Sequence, residues 1–322
     1  MSGTLTRWVG IDEAGYGPNL GPLVMTAVIA EGPSASPPDL WGDLASTVAR
    51  AKGAPDRLWV DDSKAILKGG RGRERLEAAC LATLTAAGRE LPRSFGNLLK
   101  AIDAGTLADV ELALWLDEDD DPPWPRAESR DLYDRCLKNP LAGISWRIVG
   151  VQTVVVGPAR FNAGLAASPS KATVHFTAFA HLLRSLWEQA SDGMKTAVRS
   201  DKHGGRHFYM EPLQAHFDDV WIDRGPEGPA LSRYTIKSPG RHLDLSLVPR
   251  ADADDGLVAL ASIVSKTVRE GWMDAFNAHW RAHFPDLHPT AGYPNDAKRF
   301  RQVIEPACLA RGLPSSLWWR AK

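Results

Sequence analysis

Short apolar runs alternate along the chain with longer stretches of helical periodicity. Leu5 to Ile11 and Leu20 to Ile29 are apolar and partly β-branched, and the Gly/Pro-rich stretch Ala14 to Asn19 separates them, which predicts two strands joined by a loop. A helical pattern follows the Pro/Ser-rich turn Gly32 to Pro38, and Arg71 to Leu84 sets Leu76, Ala79, Cys80 and Leu84 on one side of another helix. Trp146 to Val156 alternates and then runs apolar, as a half-buried strand does, and Val174, Ala178, Leu182 and Leu186 recur at helical spacing through Gln189. Lys195 to Ser200 predicts a short strand emptying into Asp201-Lys202-His203-Gly204-Gly205. Tyr234 to Ser238 and His242 to Val248 flank Pro239-Gly240 and predict a hairpin. A long helix is expected from Asp255 to about Ala282, with Leu257, Leu260, Ala261, Val264 and Val268 facing inward. From Pro285 the tail is rich in Pro, Arg and Trp, and Trp318 and Trp319 are placed to close C-terminal helices on the core. Mixed strands and helices make this an α/β chain.

The segment from about Arg93 to Asn139 is weakly patterned and reads as an insertion or lid. Its acidic run Asp117 to Asp121, followed by Pro122, Pro123 and Pro125, lacks the spaced, turn-imposed ligands of a calcium loop and reads as solvated surface.

Composition narrows the class. A chain 44% hydrophobic and 24% charged is globular, which excludes collagen-like, disordered and disulfide-framed proteins. Its 38 Lys+Arg and 39 Asp+Glu leave a net charge of -1, so any nucleic acid must be held by a local patch rather than by an overall positive field. Cys80, Cys136 and Cys308 are far apart and odd in number, which fits neither a zinc site nor a secreted disulfide scaffold and suggests a reducing cytoplasm. Met1 to Trp8 has no signal-peptide character, and Leu20 to Ala30 is too short to span a bilayer. A soluble cytoplasmic monomer without a membrane partner is expected.

Candidate chemistry begins at Gly10-Ile11-Asp12-Glu13-Ala14-Gly15-Tyr16-Gly17, where two adjacent acids end an apolar strand just before close-set small residues. Alone, such a pair is more often a solvated turn. On a regular strand neighbouring side chains point to opposite faces, so both acids meet one ion only if the chain bends or a backbone carbonyl joins in.

This stretch resembles the opening motif of the type 2 ribonuclease H (ribonuclease HII) family, in which Asp-Glu-Ala-Gly precedes a basic residue, Gly and a second strand containing Gly-Pro, matched here by Gly21-Pro22. Asp62-Ser63-Lys64 is similar to the family's Asp-Ser-Lys motif. Ala261-Ser262-Ile263-Val264-Ser265-Lys266 with Arg269 is similar to its Ala-Ser-Ile helix, and Gly292-Tyr293 follows in place. The four motifs keep the family's order over about residues 7 to 300.

The resemblance implies a ribonuclease H-like fold, a mixed five-stranded sheet flanked by helices, with a C-terminal helical segment. Residues 1–270 would form the catalytic domain, with insertions at about 93–139 and 220–250, and residues 271–322 a helical extension packed on it. It also implies four catalytic, metal-holding acids: Asp12 and Glu13 from the first motif, Asp252 ahead of the Ala-Ser-Ile helix, and Asp201 at the end of a strand. Asp254 and Asp255 compete with Asp252, although each precedes an apolar helix, where capping is the ordinary role. Carboxylate oxygens select Mg2+ or Mn2+, and two such ions roughly 4 Å apart would stabilise the attacking and leaving oxygens of a phosphodiester. Gly15, Tyr16, Gly17, Lys64 and Tyr293 carry over as substrate-binding residues. At Tyr16 the family has Arg or Lys, so this chain offers a hydroxyl in place of a charge. Lys68, Arg71, Arg73 and Arg75 add a local basic surface, and Lys202, Arg206 and His207 another beside Asp201. His203 or His207 is a candidate proton carrier.

The expected activity is metal-dependent endonucleolytic cleavage of RNA in an RNA/DNA hybrid, or at a ribonucleotide within duplex DNA, leaving 3'-hydroxyl and 5'-phosphate ends. The alternatives are a nuclease of this fold acting on structured DNA, and a catalytically silent nucleic-acid-binding protein.

Overall fold

The computed structural model describes residues 4–50, 54–106, 115, 121–137, 141–143, 145–168, 170–190 and 193–321. In chain order its elements are β1 (Leu5–Ala14), β2 (Leu23–Pro33), α1 (Leu40–Asp43), β3 (Val48–Ala49), β4 (Leu58–Trp59), α2 (Ser63–Lys68), α3 (Gly72–Ala86), α4 (Phe95–Ile102), α5 (Ala127–Cys136) and β5 (Arg147–Val156). Then come α6 (Pro158–Ala167), α7 (Lys171–Gln189), β6 (Lys195–Asp201), α8 (Met210–His216), β7 (Trp221–Glu227), β8 (Ser232–Ser238), β9 (Arg241–Val248), α9 (Ala251–Asp254), α10 (Gly256–His283) and α11 (Pro294–Ala310).

β2 is buried on both faces, and its alternation builds two cores. Leu23, Met25, Ala27 and Ile29 pack with α6, α7 and α8, whereas Val24, Val28 and Ala30 pack with α3, α4, α5, α10 and α11. The sheet between these layers runs β5-β2-β1-β6-β9-β8-β7. β1 pairs antiparallel with β2 and parallel with β6, and β6 pairs parallel with β9. The expected α/β class is present, with a mixed sheet, helices on both sides and C-terminal helices. Beyond β5, β2, β1, β6 and β9, the strands β8 and β7 extend one edge and bring the sheet to seven.

α10 rests on β1 at its own first turn. A methyl group on Gly10 would come within 2.3 Å of the Leu257 carbonyl carbon and the Val258 nitrogen, so only glycine lets the helix lie this close. Asp255 caps the helix, accepting from the amides of Leu257 (2.9 Å) and Val258 (3.2 Å), an arrangement worth about 1 kcal/mol.

The helical pattern expected past Pro38 is one turn, α1, capped by Asp39. Of the weakly patterned segment, α4 and α5 bury Phe95, Leu98, Leu132 and Tyr133 together with Trp115 and Trp124 in the α10-side core. Asp117 to Asp120 lie outside the described residues, and Asp121 accepts from the Gly96 amide (2.9 Å). Trp318 is fully buried in the same core with Trp319 against it. Cys80, Cys136 and Cys308 are buried free thiols. Among the described residues, no helix is long and apolar enough to cross a membrane.

Candidate active site

Because β1, β6 and β9 run parallel, their C-terminal ends meet at one edge of the sheet, the usual place for a site in a sheet of this kind. β1 delivers Asp12 and Glu13 there, β6 ends on Asp201, and the short helix after β9 carries Asp252. All four line one cavity of about 200 Å³, together with Gly15, Tyr16, Gly17, Lys64 and Tyr293. The cavity is lined as well by Asp62, Ser63, Ser262 and Lys266, whereas Gly21, Pro22, Arg269 and Gly292 of the same motifs do not border it.

β1 does not bend between the two acids. Its register with β2 runs unbroken through Asp12↔Thr26, Glu13↔Met25 and Ala14↔Val24. The acids therefore leave on opposite faces. Asp12 turns to α10 and takes a hydrogen bond from Ser262, while Glu13 turns to α7 and lies 3.5 Å from His175 Nε2. The Ser265 hydroxyl, donating to Thr26 Oγ1 (2.8 Å) and lying 3.1 Å from the Asp12 carbonyl, pins the strand beneath.

The acids act on one another. Burial pushes Asp12 well above the usual carboxylate range, and the charges of Glu13 and then Asp252 push it further. Asp201 is raised by burial and by Glu13, although its carboxylate accepts from the amides of Lys202 (2.8 Å) and Arg250 (2.7 Å). Asp252 is raised by burial, then by Asp62 and Asp201, with Lys64 opposing. Asp255 is committed to its cap and lies outside this cavity, and Asp254 is exposed and does not line it either.

The donor chemistry fits hard divalent cations: carboxylate oxygens from separate segments that raise one another's affinity for positive charge. Their convergence is incomplete. Among the described residues, no three His, Cys, Asp or Glu side chains are grouped so that they could hold a metal ion, as expected when neighbouring acids point to opposite faces of an unbent strand.

Of the basic residues, Lys64 and Lys68 are exposed without an ion pair among the described residues. The neighbouring arginines are engaged: Arg71 with Glu74, Arg73 with Glu270 and Asp274, and Arg75 over the Trp59 ring at 3.7 Å. Lys202 is turned away, donating to Gly228 O (2.7 Å) and Ser232 Oγ (2.8 Å). His203 is buried 4.4 Å from the His175 ring and 4.5 Å from Phe179. Burial, His175 and Arg206 hold its pKa well below the ordinary value, which keeps it neutral and unsuited to carrying a proton near neutral pH.

Three neighbours of the site were not legible as such. His175 sits on the buried face of α7 at ordinary helical spacing, and nothing in the sequence marks it. Asp62 stands inside a recognised motif, and its charge on Asp252 appears only in three dimensions. Arg320, six residues past Pro314 in the tail, donates to the carbonyls of Gly15 and Tyr16.

No family model and no curated protein matches the chain. Among solved structures it is similar to the RNase HII of Archaeoglobus fulgidus solved with PCNA, at 17% identity over 98% of this chain and 94% of that one, with a TM-score of 0.40. It is similar to the ribonuclease H2 of Pyrococcus horikoshii, at 14% identity over 97% and 92% of the two chains, with a TM-score of 0.40. To Bst-RNase HIII in complex with Mn2+ it is similar at 13% identity, over 99% of this chain and 66% of that one, with a TM-score of 0.43.

Proposed function

We propose that the chain is a metal-dependent endonuclease of the ribonuclease H type, which hydrolyses the RNA strand of an RNA/DNA hybrid or the bond at a ribonucleotide within duplex DNA. One observation carries this reading. Asp12, Glu13, Asp201 and Asp252 come from three separate parts of the chain to one cavity beside the Gly15-Tyr16-Gly17 loop. A structural ion-pair network would surround such acids with cations, yet Asp12, Asp201 and Asp252 are all raised by burial and by fellow carboxylates.

Although no three of their carboxylates are grouped about one point among the described residues, Asp12, Glu13, Asp201 and Asp252 are the residues that would hold Mg2+ or Mn2+, which when bound would supply charge stabilisation at the attacking and leaving oxygens and a water acidic enough to attack. The rest is done by the chain itself. Lys64, exposed at the rim, gives a point charge to a substrate phosphate. Gly15-Tyr16-Gly17 presents backbone to the ribose and its 2'-hydroxyl. Tyr293, 49% exposed and with the Arg269 guanidinium 5.7 Å from its ring centre, offers an aromatic face to a sugar at the mouth of the cavity. His175, buried against Glu13, limits where that carboxylate can turn. Ends of 3'-hydroxyl and 5'-phosphate follow from attack by water on the phosphorus with departure of the 3'-oxygen.

A second reading, a nuclease of this fold cutting structured DNA, is favoured by Tyr16, which lines the cavity without a charge and lies edge-on to His175 at 4.9 Å. Matched duplexes with and without one ribonucleotide, incubated with Mg2+ and with Mn2+, separate the two. Preferential cleavage at the ribonucleotide is expected, and equal cutting of the all-DNA duplex would shift the assignment to the second reading. If Asp12→Asn cleaves like the wild type, the four-acid site is wrong.

A further inference from the structure

The loop after β1 is held from behind by the far end of the chain. Arg320 is fully buried, donates from Nη1 to the Gly15 carbonyl and from Nη2 to the Tyr16 carbonyl (3.1 Å), and lies 3.9 Å over the Phe161 ring. Its backbone is paired with Asn19: Arg320 N donates to Asn19 O (2.8 Å), and Asn19 Nδ2 donates to Arg320 O (3.1 Å). Asn162 of α6 fixes the tail on either side, donating to Ser316 O (2.9 Å) and Trp319 O (2.8 Å) and accepting from Ala321 N (2.8 Å). No carboxylate pairs with the Arg320 guanidinium among the described residues, and a cation buried without one is costly. Its Nη1 and Nη2 donors go to the loop, while the buried Nε has no partner among the described residues.

In a planar trans peptide the N–H of one residue points opposite the C=O of the residue before it. With the Gly15 and Tyr16 carbonyls turned back to Arg320, the amides of Tyr16 and Gly17 turn forward. Neither amide has a partner among the described residues, and both residues line the acidic cavity. Gly15 makes the geometry possible, since it has φ +89° and a side chain there would meet Pro22 O at 2.3 Å.

We infer that Arg320 is a positioning residue for the substrate loop, fixing two carbonyls so that the Tyr16 and Gly17 amides stand as paired donors to a phosphate or ribose oxygen. The inference rests on the proposed nuclease function for its ligand, and on the hydrogen bonds alone for its geometry. It also gives the tail a role in substrate binding, because a cation absent from position 16 is replaced by one acting through the backbone from behind.

The test uses Arg320→Ala, Arg320→Lys and Asn162→Ala in the full chain. Arg320→Ala is expected to bind Mn2+ in calorimetry as the wild type does. Its KM for a duplex carrying one ribonucleotide should rise roughly tenfold to a hundredfold, with kcat within about threefold, as loss of charge-assisted bonds outside the chemical step predicts. Amide order parameters at Tyr16 and Gly17 should fall from about 0.85 to below about 0.6. Arg320→Lys, able to reach one carbonyl, should recover part of the KM, and Asn162→Ala, which loosens the tail but keeps the guanidinium, should lose less than Arg320→Ala. Unchanged KM and unchanged order parameters in Arg320→Ala overturn the inference, as does an equal loss in Arg320→Ala and Asn162→Ala, which would make the residue a mere tail anchor. If Arg320→Ala fails to fold, Arg320→Lys carries the test, and wild-type values in it overturn the inference. If the wild type cuts no duplex, the nuclease reading fails by itself, and the order parameters still decide the role of Arg320.

Discussion

The hydroxyls of Ser63 and Ser262 lie 3.0 Å apart across 199 residues of sequence, and Ser262 donates onward to the Asp12 carboxylate. A hydroxyl has one proton to give, so the chain of donors runs from Ser63 through Ser262 to Asp12. It ties the first residue of α2 and the second turn of α10 to the buried acid of β1. Ser262→Ala should therefore cost about 1–3 kcal/mol, because it leaves a buried carboxylate short of a donor, and Ser63→Ala about 1 kcal/mol, because it removes only the outer bond. Chemical denaturation measures both. If the two variants unfold at the wild-type midpoint, the relay is not a structural element of the site.

Asp12→Asn tests the site without reference to catalysis. Burial first, and then the charges of Glu13 and Asp252, raise the Asp12 pKa in the folded protein. A carboxyl raised on folding costs nothing while neutral in both states, and its cost accumulates as pH rises from its unfolded value of about 3.9 through the folded one. Without divalent cations, Asp12→Asn should melt above the wild type at pH 7, and the two curves should converge near pH 4. Millimolar Mn2+ should raise the wild-type melting temperature more than that of the variant. A variant less stable than the wild type at pH 7 in chelator would show that the acids do not strain the fold.

Much of this layout was legible before any coordinates. Alternation and turn residues placed β1, β2, β5, β6, the β8–β9 hairpin and α10 within a few residues, because each buries a continuous apolar face. Long-range contacts were not legible in the same way. That β1 runs regularly through Ala14, setting Asp12 and Glu13 on opposite faces, depends on pairing with Val24 to Thr26. The helix α4 carries its signal in one short stretch, Phe95, Leu98, Leu99 and Ile102 at helical spacing, which is easily lost beside the acidic and Pro-rich residues that follow, and α5 is mostly polar, so its burial comes from what packs on it. Arg75 reads as part of a local basic surface but lies over the Trp59 ring, and Arg320 reads as an ordinary tail residue until Gly15 and Tyr16 are seen beside it.

Lys64 is the site's exposed cation, since Lys266 is taken up by Glu270 at 2.6 Å. Its replacement should leave stability within about 0.5 kcal/mol of the wild type, as is usual for an exposed side chain. Duplex binding should weaken for every sequence alike, and the dependence of log K on log salt should lose roughly one unit of slope. Binding isotherms at several salt concentrations, made with Asp12→Asn to prevent cleavage, measure this. An unaltered slope would remove Lys64 from the phosphate contacts.

Gly10→Ala addresses how the site is assembled. The added methyl group would meet the backbone of Leu257 and Val258 at 2.3 Å, and neither atom belongs to a side chain that can rotate away. The start of α10 must then shift outward, taking with it the Asp255 cap, the adjoining turn that bears Asp252, and Ser262 farther along. Overpacking of this kind costs about 1–3 kcal/mol. The functional loss should be larger than the stability loss implies, because moving a catalytic group by about 1 Å can cost roughly a hundredfold in rate. Thermal melts paired with kcat on a ribonucleotide-containing duplex make the comparison. Wild-type values in both would mean that the packing of α10 on β1 does not set the spacing between Asp12 and Asp252.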